Sequence, residues 1–266
     1  MQPAVPDRSA AEFRKFSLVR QLRRELDEGW RQLRAPRGVN EFPPDFSDFT
    51  RDLCRRVAPY TMTSKQRVAA IERAVRYVVA NGIEGDFAEC GVAGGGSVMA
   101  MAYTLIELGD TGRTLWLYDT FAGMPEPTNE DVGRYGTSAM KRYRQRRQDG
   151  VSTWINFSLD TVKGHVAETG YPDANLRFVE GKVEETLPQT RPERIAFLRL
   201  DTDWYESTKA EMEHLFPLVE PGGVILLDDY FAWAGHRKAV DDYVAEHGIR
   251  IFWARIDDHA VVGVKQ

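Results

Sequence analysis

The feature that most constrains this fold is a repeated alternation of short apolar runs with helical patterns. Five of the runs predict strands, and they are apolar on both faces, which is typical of a parallel sheet covered by helices. They lie at residues 86–90, 115–118, 176–179, 195–200 and 223–227. Helical patterns lie between or beside them at residues 65–81, 98–108, 159–168, 206–216 and 236–246. We therefore predict an α/β fold with a mostly parallel sheet and helices on both of its faces.

The regions outside this alternation are less regular. Residues 249–253 and 260–264 predict two closing strands that pair with each other. Residues 123–157 contain no clear strand, although the basic run at 138–148 predicts a surface helix.

The N-terminal region differs in composition from the rest of the chain. Residues 1–57 are rich in charged residues and proline, and their apolar spacing predicts helices at 9–33 and 46–57. We expect a helical arm over residues 1–57 that packs on a main domain over residues 58–266. An arm that joins two subunits and a cap over the active site are the alternatives.

Composition excludes several classes of protein. The chain has 266 residues, with 35 Lys+Arg against 40 Asp+Glu, and its net charge of −5 argues against a general nucleic-acid binder. No run is long and apolar enough to span a membrane, and the N-terminus lacks the apolar core of a secretory signal. Two cysteines do not make a disulfide framework. We expect a soluble, cytoplasmic homo-oligomer that binds neither membranes nor nucleic acid.

A glycine-rich turn follows the first predicted strand, in the run ECGVAGGGS at residues 89–97. Glycines permit a tight turn and the close approach of a ligand, although a turn with no ligand is the alternative. Asp119 ends the second strand, where an acid can accept hydrogen bonds from ribose hydroxyls. Glu89 precedes the turn and would repel a pyrophosphate. This charge favours a cationic sulfonium, as in S-adenosylmethionine, over a dinucleotide such as NAD.

Acidic residues follow two further strands. Asp201 and Asp203 come after the fourth strand, and Asp228 and Asp229 after the fifth, so all four are expected at one edge of the sheet. Carboxylates gathered without basic neighbours repel one another unless a cation compensates their charge. The alternative is that they cap the helices that follow. Because the cluster contains no His or Cys, Mg²⁺ is favoured over Zn²⁺.

Several of these runs together resemble the macrocin and mycinamicin O-methyltransferase family. The resemblance covers about residues 58–266 and is most specific from residue 198 to 243. It rests on the runs YTMTS, GDFAECGVAGGGS, LYDTFAGMPEPT, FVEGKVEETLP, LRLDTDWYESTKAEMEHLFPLVEPGGVILLDDY and AGHRKAVDDY. The family implies a Rossmann-like class I methyltransferase fold with a seven-stranded sheet, S-adenosylmethionine and Mg²⁺. The family often has GVWRGG in the glycine turn, where this chain has Ala93 and Gly94.

The resemblance also implies roles for individual residues. It places metal ligands at Asp201, Asp228 and Asp229, and a general base at Asp203. It implies a ribose-binding acid at Asp119, an adenine-side loop at Gly181-Lys182-Val183 and a segment near Thr61 that closes over the cofactor. The candidate cofactor-binding residues are Thr61, Met62, Glu89, Gly91, Gly95, Ser97, Asp119, Thr120, Gly181, Lys182, Val183 and Asp201.

The function expected from this pattern is a Mg²⁺-assisted O-methyltransferase. Its acceptor would be a hydroxyl on a small molecule, a sugar hydroxyl of a glycosylated secondary metabolite such as an antibiotic. Three alternatives remain open at this stage: an NAD(P)-dependent oxidoreductase, a methyltransferase of catechol-type phenols, and a non-catalytic binding module that kept the fold.

Overall fold

A computed structural model describes residues 42–149 and 151–266 of the chain. The predicted helix at 9–33 lies outside these residues. The chain divides into two units, Met1–Asp45 and Phe46–Gln266, and the second unit carries the architecture described below. It begins ahead of residue 58, where we predicted the domain boundary. The helices of the described residues all fall short of the length and apolar character that a bilayer crossing requires.

Seven strands form one sheet in the described part of the chain. Their spatial order is β5-β2-β1-β6-β7-β9-β8, with the first five parallel and the last two antiparallel. The sheet strands are β1 (Asp86–Cys90), β2 (Leu115–Asp119), β5 (Leu176–Glu180), β6 (Ile195–Leu200), β7 (Val219–Leu227), β8 (Ala254–Arg255) and β9 (Val261–Val264). A short hairpin of β3 (Arg147–Gln148) and β4 (Val151–Ser152) stands apart. The predicted mostly parallel α/β sheet is confirmed.

Eight α-helices lie in the described residues, and seven of them form two groups that cover opposite faces of the sheet. They are α1 (Asp48–Val57), α2 (Lys65–Ala80), α3 (Gly96–Leu108), α4 (Ala139–Gln145), α5 (Leu159–Ala167), α6 (Val183–Thr186), α7 (Tyr205–His214) and α8 (Ala234–Glu246). Contacts join α1, α2, α3 and α5 to one another, and contacts also join α6, α7 and α8. The chain runs outward from β1 to β2 and in the other direction from β6 to β7, so right-handed crossovers place α3 and α7 on opposite faces. The strand order therefore reverses between β1 and β6.

The end of the chain differs from its sequence prediction. The closing pair of antiparallel strands exists, but the first strand is Ala254–Arg255, and residues 249–253 lie outside any strand. Ile251 and Trp253 instead pack their side chains over Gly263, and they contact the main core cluster. The apolar character of this segment therefore reflects packing on the sheet edge and not pairing. The hairpin β3–β4 and the single-turn helix α6 were not predicted, because elements this short carry no periodic pattern.

The two central strands hold a buried ion pair. Arg199 of β6 stands beside Glu89 of β1 in the register, and both side chains are about as buried as the apolar core around them. The Arg199 guanidinium pairs with the Glu89 carboxylate. Burial raises the pKa of Glu89 to about 7, and Arg199 opposes that rise. An ionised pair in such a place depends on both partners, because a lone buried charge is strongly destabilising.

We therefore predict that Arg199→Met lowers the free energy of unfolding by about 3–5 kcal/mol, because it leaves buried carboxylates without their cation. Urea unfolding at neutral pH measures the change. Arg177→Met on the exposed face of β5 is the matched control and should change stability by no more than about 0.5 kcal/mol. An Arg199→Met protein as stable as the parent would show that this network does not support the fold.

Candidate active site

One open cleft lies at the carboxyl ends of the parallel strands, where the strand order reverses. Ligands bind at this position in open α/β sheets. Its empty volume, including the open solvent at its mouth, is about 990 Å³. Most of the residues singled out from the sequence line it, namely Thr61, Met62, Gly91, Ser97, Asp119, Thr120, Gly181, Lys182, Val183, Asp201, Asp203, Asp228 and Asp229.

Two of the candidate residues lie elsewhere. Gly95 precedes the first residue of α3 with a φ of +91°, behind the cleft surface. Glu89 lies beneath the floor of the cleft, where it pairs with Arg199. The Glu89 charge is therefore met by Arg199 and does not face a ligand in the cleft, so the prediction that Glu89 itself repels a pyrophosphate is wrong.

The glycine turn is packed too tightly for side chains. Gly91 has a φ of +83°, and a Cβ atom there would lie 2.0 Å from the carbonyl oxygen of Asp201. A Cβ atom on Gly94 would lie 2.5 Å from the carbonyl oxygen of Tyr60. The second contact explains why this chain has glycine where the resembling family often has a larger residue: the segment after Tyr60 lies directly on the turn.

The Asp119 carboxylate stabilises the same turn by accepting hydrogen bonds from its backbone. Its Oδ2 accepts hydrogen bonds from the backbone N–H groups of Val92 and Ala93, at 2.8 and 3.1 Å. Its Oδ1 accepts one from the backbone N–H of Phe121 at 2.8 Å. The Thr120 hydroxyl also lies 3.4 Å from Oδ1, but its one proton has the carbonyl oxygen of Gly123 nearer, at 2.7 Å. A carboxylate has about four acceptor positions, so three N–H bonds leave Asp119 one for a ligand hydroxyl. The same bonds occupy two N–H groups of the turn that could otherwise bind an anion.

The segment over the turn is held by Tyr60 and by two side chains at the end of α5. The Tyr60 hydroxyl donates to Glu168 at 2.7 Å, and the Tyr60 ring contacts the ring of His165. His165 Nδ1 is 2.9 Å from the carbonyl oxygen of Gly94. The end of helix α5 therefore contacts both Tyr60 and the glycine turn, and it holds the segment that begins at Tyr60 against the turn. Nothing in the spacing of these residues predicts contacts across more than 70 positions of the chain.

The three carboxylates predicted to hold a metal converge. Asp201, Asp228 and Asp229 each offer an oxygen atom, and these atoms lie within 4.8 Å of one another. Asp229 Oδ2 is buried and has no hydrogen-bond partner among the described residues. Burial and the neighbouring carboxylates raise the pKa of Asp201 and of Asp229 well above the usual range, although Arg199 opposes the rise at Asp201. A set of oxygen donors under this mutual repulsion suits a hard divalent cation.

The prediction that these carboxylates lack basic neighbours is wrong. Arg199 Nη2 lies 2.6 Å from Asp228 Oδ1 and 2.8 Å from Asp201 Oδ2. Arg67, from the first turn of α2, pairs with the other oxygen of Asp228, and its Nε donates to Asp257 at 2.9 Å. Each Asp228 oxygen keeps a second lone pair, so the two guanidiniums reduce the repulsion without filling the site.

The alternative that the acids cap helices is not what the structure shows. The residues that precede α7 and α8 are Trp204 and Trp233, and neither helix is capped by the side chain of that residue. The backbone N–H of Tyr205, at the start of α7, instead donates to Asp131 at 2.8 Å. Asp131 was not singled out from the sequence, because it lies 74 positions earlier in the chain.

Asp203 lines the cleft beside this cluster. Burial raises the pKa of Asp203 to about 7, and Asp201 adds to the rise, while hydrogen bonds with Asp229 and Trp233 oppose it. A carboxylate with a pKa near neutrality can exchange a proton at physiological pH. The arrangement can therefore accept a proton from a ligand in the cleft.

One wall of the cleft comes from the region without predicted strands. Met124, Pro125 and Ile155 line it, and Met124 and Ile155 pack on a cluster built around three indole rings. The cluster contains Ala139, Tyr143, Trp154, Trp204 and Trp233. Trp204 and Trp233 stand behind this wall and do not line the cleft.

Comparisons with known proteins agree with these observations. A model of the family described as Macrocin-O-methyltransferase (TylF) matches residues 10–264 and so begins well before residue 58, where the recognised motifs start. The chain is 36% identical over 202 residues to 8-demethyl-8-(2,3-dimethoxy-alpha-L-rhamnosyl)-tetracenomycin-C 4'-O-methyltransferase of Streptomyces olivaceus, covering 76% of this chain and 74% of that protein. It is 31% identical over 202 residues to mycinamicin III 3''-O-methyltransferase of Micromonospora griseorubida, covering 76% and 77%.

A solved structure extends the similarity to three dimensions. The O-methyltransferase NovP superimposes with a TM-score of 0.70 at 29% identity, over 78% of this chain and 82% of that one. The methyltransferase fold, the family match and these relatives agree with the resemblance read from the motifs. The chain belongs to the macrocin O-methyltransferase family.

Proposed function

We propose that this protein transfers a methyl group from S-adenosylmethionine to a sugar hydroxyl of a glycosylated natural product, assisted by Mg²⁺. The observation that carries the proposal is the convergence of Asp201, Asp228 and Asp229 beside Asp203, in the same cleft as the glycine turn. The relatives support the acceptor class, because their names describe O-methylation of a rhamnosyl-tetracenomycin and of mycinamicin III. A homo-oligomeric state remains a prediction.

The charge of the cleft supports a cationic cofactor. Six carboxylate side chains line it against three cationic ones, which favours a sulfonium over a pyrophosphate. Asp119 already occupies the N–H groups of Val92 and Ala93, which a dinucleotide site needs for its phosphates. These contacts favour methyl transfer over the NAD(P)-dependent alternative.

The chain's own residues divide between positioning and proton transfer. Gly91 lets a ligand approach the backbone closely, and the free acceptor position of Asp119 suits a ribose hydroxyl. A divalent cation held by Asp201, Asp228 and Asp229 would lower the pKa of an acceptor hydroxyl and fix its orientation. Asp203 accepts the hydroxyl proton as the oxygen bonds to the methyl carbon, because its pKa near 7 matches that task. The bond from sulfur to the methyl carbon breaks in the same step, and its electron pair stays on sulfur in the leaving thioether, S-adenosylhomocysteine.

The first test is methyl transfer from isotope-labelled S-adenosylmethionine into a panel of rhamnosyl glycosides, simple catechols and their non-hydroxylated analogues. We expect incorporation into a glycoside, and loss of more than about tenfold in rate with EDTA, restored by Mg²⁺. Asp228→Asn should lose this response to Mg²⁺, and Asp173→Asn, an exposed aspartate away from the cleft, should keep it.

Three outcomes would oppose the proposal. A rate unaffected by EDTA would exclude the cation, and incorporation into catechols alone would redirect the acceptor to phenols. Equilibrium dialysis that shows binding of NAD(P) and none of S-adenosylmethionine would favour the oxidoreductase.

The second test concerns the base. Asp203→Asn should lower kcat by about 10²–10⁴-fold with little change in cofactor affinity, because the amide cannot accept the proton. Since a base works when it is deprotonated, kcat of the parent should fall in acid. A bound divalent cation lowers the pKa of Asp203, so with Mg²⁺ present the decline should lie below the value of about 7 that burial gives Asp203. Full turnover by Asp203→Asn in a pH–rate series would remove Asp203 from the mechanism.

A further inference from the structure

Asp203 lies in a backbone conformation that aspartate seldom adopts. Its φ is +69°, and the N–H of Trp204 donates to the carbonyl oxygen of Thr202 at 2.8 Å, two residues earlier. This is a γ-turn of positive φ, which is rare and strained. Such strain persists only where the surrounding structure holds it in place.

The turn is held on its N-terminal side by helix α7 itself. The Thr202 hydroxyl donates to Glu211 Oε1 at 2.8 Å, and the Glu211 side chain is fully buried. On the other side, the Trp204 indole N–H donates to the carbonyl oxygen of Pro125 at 3.1 Å. These two contacts fix the residues on either side of Asp203 and leave its own carboxylate toward the cleft.

A third contact bears on whether the Asp203 carboxylate faces the cleft or bonds to the start of α7. The N–H of Tyr205, the first residue of α7, donates to Asp131 Oδ1. A helix N-terminus presents unpaired N–H groups and a partial positive charge, so it attracts the nearest carboxylate. Asp131 supplies that carboxylate from a distant part of the chain.

Asp131 is firmly built into this position. It is 1% exposed, and its Oδ2 accepts from the N–H and the hydroxyl of Thr128, at 2.6 and 3.0 Å. A Cβ atom on Gly235, at the start of α8, would lie 2.2 Å from Asp131 Oδ1. The absence of a side chain at Gly235 therefore provides the space that the Asp131 carboxylate occupies when it accepts from Tyr205.

Asp203 is the natural competitor for this cap. An aspartate at the N-cap accepts from the N–H groups two or three residues later, and Tyr205 is two residues after Asp203. Capping by Asp203 would move its φ into the extended region, relieve the γ-turn and turn its carboxylate from the cleft toward the helix.

We propose that Asp131 is a positioning residue for the reaction: it caps α7 so that Asp203 stays in the cleft. The inference rests on the proposed role of Asp203 as the base. Asp131 touches no ligand position itself, because it does not line the cleft.

The test compares four variants by kcat, KM and affinity for S-adenosylhomocysteine. Asp131→Ala should lower kcat by about 10–100-fold, part of the loss expected without the base, and leave both other constants within about twofold. Gly235→Ala displaces Asp131 without removing it and should lower kcat in the same way. Asp131→Asn retains an oxygen for the Tyr205 N–H and should stay within about fivefold of the parent. Ser47→Ala removes the cap of α1, away from the cleft, and should leave kcat unchanged.

A crystal structure of Asp131→Ala with S-adenosylhomocysteine tests the competition directly. We expect a negative φ at residue 203 and its carboxylate bonded to the Tyr205 N–H. This readout is independent of turnover, so it remains decisive if the chain proves not to be a methyltransferase. The inference is overturned if Asp203 keeps its positive φ in the variant. It is also overturned if Asp131→Ala and Gly235→Ala lower kcat no more than Ser47→Ala does; should Asp131→Ala fail to fold, Gly235→Ala carries both measurements.

Discussion

The arrangement of Arg199 among three carboxylates is the interaction on which the rest of the site depends. Its guanidinium contacts Glu89 under the glycine turn, and Asp201 and Asp228 at the ends of two strands. It also donates to the hydroxyl of Thr63, in the segment over the cofactor end of the cleft, at 3.0 Å. One buried cation therefore joins the parts of the cleft that would hold the cofactor and the metal. Without it, the buried carboxylates would take up protons or open the structure.

The sequence predicted those parts of the site that follow directly from the ends of strands. In a parallel sheet the residue after each apolar run lies at the carboxyl edge, so Asp119, Asp201 and Asp228 could be assigned to one edge without any structure. The alternation of apolar runs with helical patterns predicted the parallel sheet and the position of its helices. The predictions were weakest at 249–253, where apolar residues pack on the sheet without forming a strand. The apolar character of a segment indicates that it is buried, but it does not show that the segment pairs as a strand.

The residues that the sequence did not indicate are those whose partners lie far along the chain. Asp131 caps a helix that begins at residue 205, and Arg67 reaches Asp228 from a helix before the first strand. Asp131 lies in a region without a predicted strand, and the helical pattern that contains Arg67 does not show which residue Arg67 contacts. Both roles appear only when the strands are brought side by side. Arg199 lies inside an apolar strand, and its partners depend on the register of β1 against β6. Contacts of this kind depend on the topology of the sheet, so local sequence patterns do not predict them.

The two ends of the cleft differ in their electrostatics, and this difference limits which ligands the cleft can bind. At the glycine turn, Asp119 accepts from backbone N–H groups, so the turn is rigid and offers little to an anion. At the ends of β6 and β7, the carboxylates remain under strain: the pKa values of Asp201 and Asp229 are raised, one oxygen of Asp229 has no partner among the described residues, and Asp203 is held at a positive φ. A rigid neutralised end suits a cofactor that must be held in one orientation. A strained anionic end gains stability from a bound cation, so cation binding here would both complete the site and relieve its repulsion.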